Sequence, residues 1–172
     1  MLNVWGTGLA LALMLGAGVA AAPPGTPIDT KHLTASPSVA AAEAGGRVTL
    51  ALEVSPKPAM HVYAPPQQDY IPISLTLQPD PAIKAGVPQF PRPEKIRIEA
   101  IDETQSVYSQ RFRILQTVTL APAALRRARA AGGLPVKGTL RYQACDDTIC
   151  YLPVTVPVVW TVALTPAGRI AP

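Results

Sequence analysis

Five segments of this chain alternate their side chains with period two, and prolines crowd the intervals between them. Arg47 to Val54 sets Val48, Leu50, Leu52 and Val54 against Thr49, Ala51 and Glu53. Ile71 to Gln78 sets Ile71, Ile73, Leu75 and Leu77 against Ser74, Thr76 and Gln78. Arg111 to Leu120 puts Phe112, Ile114, Val118 and Leu120 on one side. Val136 to Ala144 opposes Leu140, Tyr142 and Ala144 to Thr139, Arg141 and Gln143. Val154 to Leu164 carries Val154, Val156, Val158, Trp160, Val162 and Leu164 in strict alternation. Successive strand side chains point to opposite faces, so this pattern marks half-buried strands. Twenty prolines reinforce it, because proline suits turns and strand edges and disrupts helix interiors. Ser55-Pro56-Lys57-Pro58, Ala64-Pro65-Pro66, Gln78-Pro79-Asp80-Pro81 and Gln89-Phe90-Pro91-Arg92-Pro93 read as the turns. The expectation is an all-β antiparallel sandwich. One helical candidate, Pro122 to Ala131, stops at Gly132-Gly133. It reads as a short surface excursion between two strands, with Arg126, Arg127 and Arg129 on a solvated face.

The 172 residues suffice for one domain with a sizeable core. A net charge of +4, without a Lys/Arg block or an aromatic-basic ladder, argues against a nucleic-acid partner. Met1 to Pro24 has no charged side chain. Its apolar run Gly8 to Val19 is followed by Ala20-Ala21-Ala22-Pro23-Pro24, the pattern of a secretory signal cleaved after Ala21 or Ala22. No Lys or Arg precedes that run, and the rival, an uncleaved anchor, needs about 20 apolar residues. The expected organisation is a signal peptide over 1–22, a flexible lead over 23–32, the β-domain over 33–165 and a tail over 166–172. Export sets a periplasmic, oxidising context in which neighbouring cysteines pair.

The chain has two cysteines, Cys145 and Cys150, in Tyr142-Gln143-Ala144-Cys145-Asp146-Asp147-Thr148-Ile149-Cys150-Tyr151. The flanking strands, near 136–145 and 149–164, can form a hairpin turning through Asp146-Asp147-Thr148. Within it the two Cα atoms can come within the 4.4–6.8 Å typical of disulfides. Three uses are open: a structural staple, a redox centre and half of a metal site. A loop this short restricts the unfolded chain least, which weakens the staple. A metal site needs further ligands, and the histidines are His32 and His61; Met60 beside His61 keeps a copper-type site open. Asp146 and Asp147 disfavour a thiolate beside them, so a redox pair here acts as a relay and not as a strong oxidant.

These residues resemble a known family. Tyr142-Gln143-Ala144-Cys145, the acidic turn, Cys150-Tyr151-Leu152-Pro153 and the Val-rich strand with Trp160 are similar to the N-terminal periplasmic domain of DsbD-type thiol:disulfide interchange proteins, also called the disulfide bond corrector domain. Met60 to Pro65, Tyr70 to Leu75 and Pro91 to Tyr108 add weaker matches, so the resemblance covers about residues 33–165. It implies an immunoglobulin-like sandwich with Cys145 and Cys150 as a redox pair on an exposed hairpin. Cys145 would be the buried partner and Cys150 the attacking thiol. His61, Tyr63 and Tyr142 would support the pair, and Asp102 and Glu103 would begin a cap loop. Electrons would come from a membrane donor and pass to thioredoxin-like proteins or disulfide isomerases, including those of cytochrome c maturation. No cofactor or resident metal is implied, and a monomer is expected.

Four departures from the family pattern bear on this. Four residues separate the cysteines, one fewer than in the best-known member. The cap segment Asp102 to Tyr108 lacks the shielding aromatic, leaving Tyr108 as its ring. Position 61 is His where the family can carry Tyr. The sequence stops after the sandwich, so for a reductase relay the electron source is expected on another polypeptide. The rival functions are a non-enzymatic periplasmic binding module with a structural disulfide and, third, copper handling through Met60, His61 and the thiolates.

Overall fold

A computed structural model describes residues 25–163 apart from 44, 68–69 and 99–101. The expected signal segment and the C-terminal tail lie outside the described residues. Among the described residues, twelve strands and one helix follow in order. They are β1 (Ile28–Asp29), β2 (Leu33–Ala42), β3 (Arg47–Pro56), β4 (His61–Tyr63), β5 (Ser74–Leu77) and β6 (Ile83–Ala85). Then come β7 (Glu94–Ile98), β8 (Glu103–Tyr108), β9 (Phe112–Leu120), α1 (Pro122–Ala131), β10 (Leu134–Tyr142), β11 (Ala144–Cys145) and β12 (Val154–Val162).

All strand pairings are antiparallel, and they form three sheets. One has the order β1-β2-β3-β9-β6, the second β12-β10-β5 and the third β11-β4-β8-β7. The first two close on a common core, as an immunoglobulin-like sandwich requires. The five alternating segments supply most of it: Val48, Leu50, Leu52 and Val54 from β3, Leu75 from β5, Ile114, Val118 and Leu120 from β9, Leu140 and Tyr142 from β10, and Val158, Trp160 and Val162 from β12. Trp160 spans the two layers, its indole Nε1 donating to the Ala51 carbonyl at 2.7 Å. That bond satisfies the one polar atom of a large buried ring.

Several elements differ from the sequence expectation. Part of the stretch expected as a flexible lead is β1, paired Ile28↔Ala35 and Asp29↔Thr34. The Ile71–Gln78 segment is strand only over Ser74–Leu77, and Ile73 enters the core ahead of it. Strand β2 lacks apolar alternation because Ala, Ser and Pro37 fill it, and its register shifts between Val39 and Ala41. Gln116 occupies a core-facing position of β9 and donates Nε2 to the Gly86 carbonyl at 2.8 Å, while its buried Oε1 has no hydrogen-bond partner among the described residues. The excursion at Pro122 is a true helix, with Pro122 in its first turn and Gly132 in the left-handed cap conformation. It buries Ala124 and Ala128. Its outer face carries Arg127, which pairs with Asp80 at 2.8 Å.

Truncating Trp160 to Ala removes the tie between the layers and opens a large cavity. It should cost about 3–5 kcal/mol of stability, read as a lower urea midpoint with the Cys145–Cys150 bond still formed. A change of less than 1 kcal/mol would show that the two layers do not depend on this ring.

Candidate functional site: a hairpin disulfide under a tyrosine pair

Strands β10 and β12 pair along their whole length, from Leu134↔Val162 to Tyr142↔Val154. The cysteines therefore lie in the connection after Tyr142 and not within the main hairpin. That connection first sends β11 into the third sheet, where Ala144 opposes Val62 and Cys145 opposes His61. It then folds back as a tight turn. The Asp146 N–H donates to the Ile149 carbonyl at 3.0 Å, and the Tyr151 N–H donates to the Ala144 carbonyl at 2.8 Å. Cys145 and Cys150 face each other between these bonds. This is the non-hydrogen-bonded position of an antiparallel ladder, where opposite Cα atoms approach most closely. Their Cα atoms are 4.0 Å apart, closer than the range expected from sequence, and the sulfurs are bonded at 2.00 Å.

The turn owes its shape to Asp146. Its Oδ1 accepts the N–H groups of Thr148 and Ile149, each at 2.8 Å, and its Oδ2 accepts the Tyr151 hydroxyl at 2.8 Å. Hydrogen bonding from the Ile149 and Thr148 amides, then from Tyr151, holds this carboxyl below the usual carboxylate range. Gln143 ties the arm down from the other side. Its Oε1 accepts the Ile71 N–H at 3.3 Å, and its Nε2 donates to the Tyr151 carbonyl at 3.1 Å. Tyr151 lies against His32 at 4.5 Å between ring centroids, with the Lys31 ammonium 4.7 Å from its ring.

Period two then sorts the neighbours. Val62, Tyr108 and Ala144 face the main core, whereas Tyr63, Val107 and Cys145 form a second, small cluster with Tyr70 and Ile96. Tyr63 covers the sulfurs: its hydroxyl lies 3.5 Å from the Cys150 Sγ and 3.6 Å from the Cys145 Sγ. Tyr70 stacks on it, centroids 4.3 Å apart at 16°. The Tyr70 hydroxyl donates to Glu103 Oε2 at 3.3 Å, and Gln105 Nε2 donates to the same oxygen at 2.6 Å. Burial, then the nearby Tyr70 and Glu103, push the Tyr63 hydroxyl up to about 12. It stays a neutral donor at any ordinary pH. The two sulfurs differ in access: Cys145 is 1% exposed, while Cys150 is open to solvent.

Of the supporting residues expected from sequence, His61, Tyr63 and Glu103 gather at this end of the third sheet. His61 is buried, edge-on to Tyr63 at 5.9 Å, and its Nε2 has no hydrogen-bond partner among the described residues. Asp102 pairs with Arg97 at the β7–β8 connection. Tyr108 turns into the main core, stacks on Phe112 at 4.1 Å and donates its hydroxyl to the Pro91 carbonyl. Tyr142 is also a core residue, its hydroxyl 2.8 Å from the Thr30 Oγ1. The ring layer over the disulfide is thus Tyr63 and Tyr70, not Tyr108. Tyr70 begins a segment that resembles the family but was not expected at the site, because it lies outside the strands and meets Tyr63 only through the folded chain. Among the described residues, no three His, Cys, Asp or Glu side chains converge as a metal site.

Fold and site together define a β-sandwich domain that presents one disulfide, half buried and half open, on a hairpin at its end. The sequence matches the model of the family described as "Thiol:disulfide interchange protein DsbD, N-terminal" over residues 30–159, and the chain belongs to that family. Among solved structures it is similar to the N-terminal periplasmic domain of ScsB from Proteus mirabilis, with a TM-score of 0.55 at 11% identity. The match covers 79% of this chain and 50% of that one, so this chain spans about half the length of that neighbour. At that identity the likeness is one of fold. No curated protein sequence matches the chain.

The turn should loosen when Asp146 loses its acceptors. In Asp146→Ala the amide hydrogens of Thr148 and Ile149 should exchange with solvent faster, with core amides unchanged. The wild type should follow on acidification. A carboxyl whose folded pKa is depressed contributes stability above its ordinary value of 3.8 and loses it as pH falls through the lower folded value. Unchanged exchange in the variant would show that the two backbone bonds suffice.

Proposed function

We propose that this domain is an exported thiol–disulfide exchange module that relays electrons through Cys145 and Cys150 to periplasmic partner proteins. The observation that carries this is the unequal access of the two sulfurs. In the reduced domain the open Cys150 thiolate attacks a partner disulfide, forming a Cys150–partner mixed disulfide and releasing the partner's other sulfur as a thiolate. Cys145, as its thiolate, then attacks the Cys150 sulfur, which expels the partner's remaining sulfur as a thiolate and restores the Cys145–Cys150 bond. Two electrons have moved to the partner, and the reaction proceeds by exchange alone. A buried second sulfur suits this role, since it resolves the mixed disulfide from within and is shielded from other thiols.

The surroundings suit a protein partner. Ile149 is 52% exposed and Leu152 86% exposed, on either side of Cys150. Apolar side chains left open beside a reactive sulfur supply contact area for a second protein. Family membership favours thioredoxin-like proteins or disulfide isomerases, including those serving cytochrome c biogenesis, as recipients. It favours a membrane-embedded electron donor. Among the described residues no helix is long and apolar enough to cross a membrane. The signal-like segment at the N-terminus supports a periplasmic location, and the domain acts as a monomer between its partners.

The Cys145→Ser variant, which keeps the accessible sulfur, should accumulate a mixed disulfide with a periplasmic thioredoxin-like protein on a non-reducing gel. Cys150→Ser should trap far less. Absence of trapping by both variants, together with a potential for the wild-type pair below about −300 mV, would make this an inert bond in a binding module.

A further inference from the structure

We infer that His61 is the proton-holding residue for Cys145: it takes up a proton when the disulfide opens and stabilises the buried sulfur as a thiolate. This rests on the exchange chemistry proposed above and assigns one of its protons to an atom. His61 and Cys145 are direct cross-strand partners in β4 and β11. Opposed residues share a face, with Cβ atoms about 4.5–5.5 Å apart. The imidazole is only 5% exposed, and its buried Nε2 has no partner among the described residues. A buried polar nitrogen without a partner is costly. It is understandable if its partner is present only in the other redox state.

The balance of charges requires such a group. When a partner dithiol reduces the domain, its thiolate attacks the Cys150 Sγ, the S–S bond breaks and the electron pair goes to the Cys145 Sγ. The partner's second thiol loses its proton and attacks its own sulfur in the mixed disulfide, releasing the Cys150 thiolate. One partner thiolate and one partner thiol have become a partner disulfide, two domain thiolates and one proton. The Cys150 thiolate meets solvent. The Cys145 thiolate forms in a site from which water is excluded, where an uncompensated charge is strongly disfavoured. The liberated proton on His61 supplies the compensation.

The other groups around the ring fit this assignment. Tyr63, on the same strand, donates a hydrogen bond towards the sulfurs but holds its proton too tightly to transfer it. From the hairpin, Asp147 and Asp146 face the imidazole and favour its charged form, while burial, the larger effect, keeps it neutral beside the intact disulfide. From β8, Glu103 is directed to Tyr70 and Gln105, and Tyr108 to the opposite face. From β7, Glu94 is engaged by Ser109, and Arg97 by Asp102. A new negative charge at Cys145 adds to the pull of the two carboxylates and opposes the effect of burial on the imidazole.

The test is a ring-proton NMR titration of His61 in the full chain, oxidised and then reduced with a small dithiol. The proton affinity of His61 should be at least tenfold higher in the reduced protein. In His61→Gln, which keeps hydrogen-bonding capacity but does not titrate in this range, the rate of reduction by the dithiol should lose an inflection that the wild type shows. Alkylation of Cys145 in a Cys150→Ser background should shift to higher pH when His61→Gln is added. An equal His61 affinity in both redox states, or pH profiles unchanged by His61→Gln, overturns the assignment. The small dithiol needs no partner, so failed trapping with an intact His61 response counts against the exchange function alone. Normal trapping with a flat His61 response counts against His61 alone. A wild-type pair that resists the dithiol overturns both.

Discussion

Strand β4 is three residues long and buried on both of its faces, and the relation between sandwich and site depends on it. Val62 faces the main core together with Tyr108 and Ala144. His61 and Tyr63 face the other way, towards Cys145. Because side chains alternate across a strand, a one-residue slip would exchange the two sets. It would put a histidine and a tyrosine hydroxyl into the apolar core and take the donor away from the sulfurs. The register is therefore enforced by the core, and the core in turn aims the site. The hydrogen bond from the Ile73 N–H to the Tyr63 carbonyl at 2.8 Å and the pairing of Tyr63 with Val107 hold the strand from both edges.

The disulfide is positioned more than it positions. Its six-residue loop is also held by the hydrogen bonds of Asp146 and Gln143, which do not involve the sulfurs. Opening the bond removes one covalent constraint from a turn that retains its own hydrogen bonds. This matches the small entropic stabilisation that so short a loop confers. Tyr63 contacts both sulfurs at once, at 3.5 and 3.6 Å, and so places one hydroxyl over the whole bond.

Long strands were legible in the sequence because burial on one face writes a two-residue period into the chain. The core residues of β3, β9, β10 and β12 follow from that period alone. Short or doubly buried elements were not. In β4 all three residues are buried, so no alternation remains to be read. In β2, Pro37 and small residues mask the pattern, and pairing with β3 makes the strand. The cysteine pair was visible as a hairpin disulfide. Which sulfur is buried followed from resemblance and not from spacing, since it depends on β11 leaving β10's sheet for β4. Tyr108 looked like the ring over the sulfurs because it ends the expected cap segment. The pleat turns it inward, and Tyr63 and Tyr70 meet across eight positions of chain that share no periodic pattern.

The ladder between β10 and β12 closes at Tyr142↔Val154, so everything that carries the sulfurs hangs outside a completed sheet. Such an arrangement separates the evolutionary fate of the loop from that of the scaffold. Residues can be gained, lost or exchanged between the cysteines without altering a single pair in the sandwich. A change in cysteine spacing can therefore alter the chemistry presented while the paired body of the sandwich stays as it is.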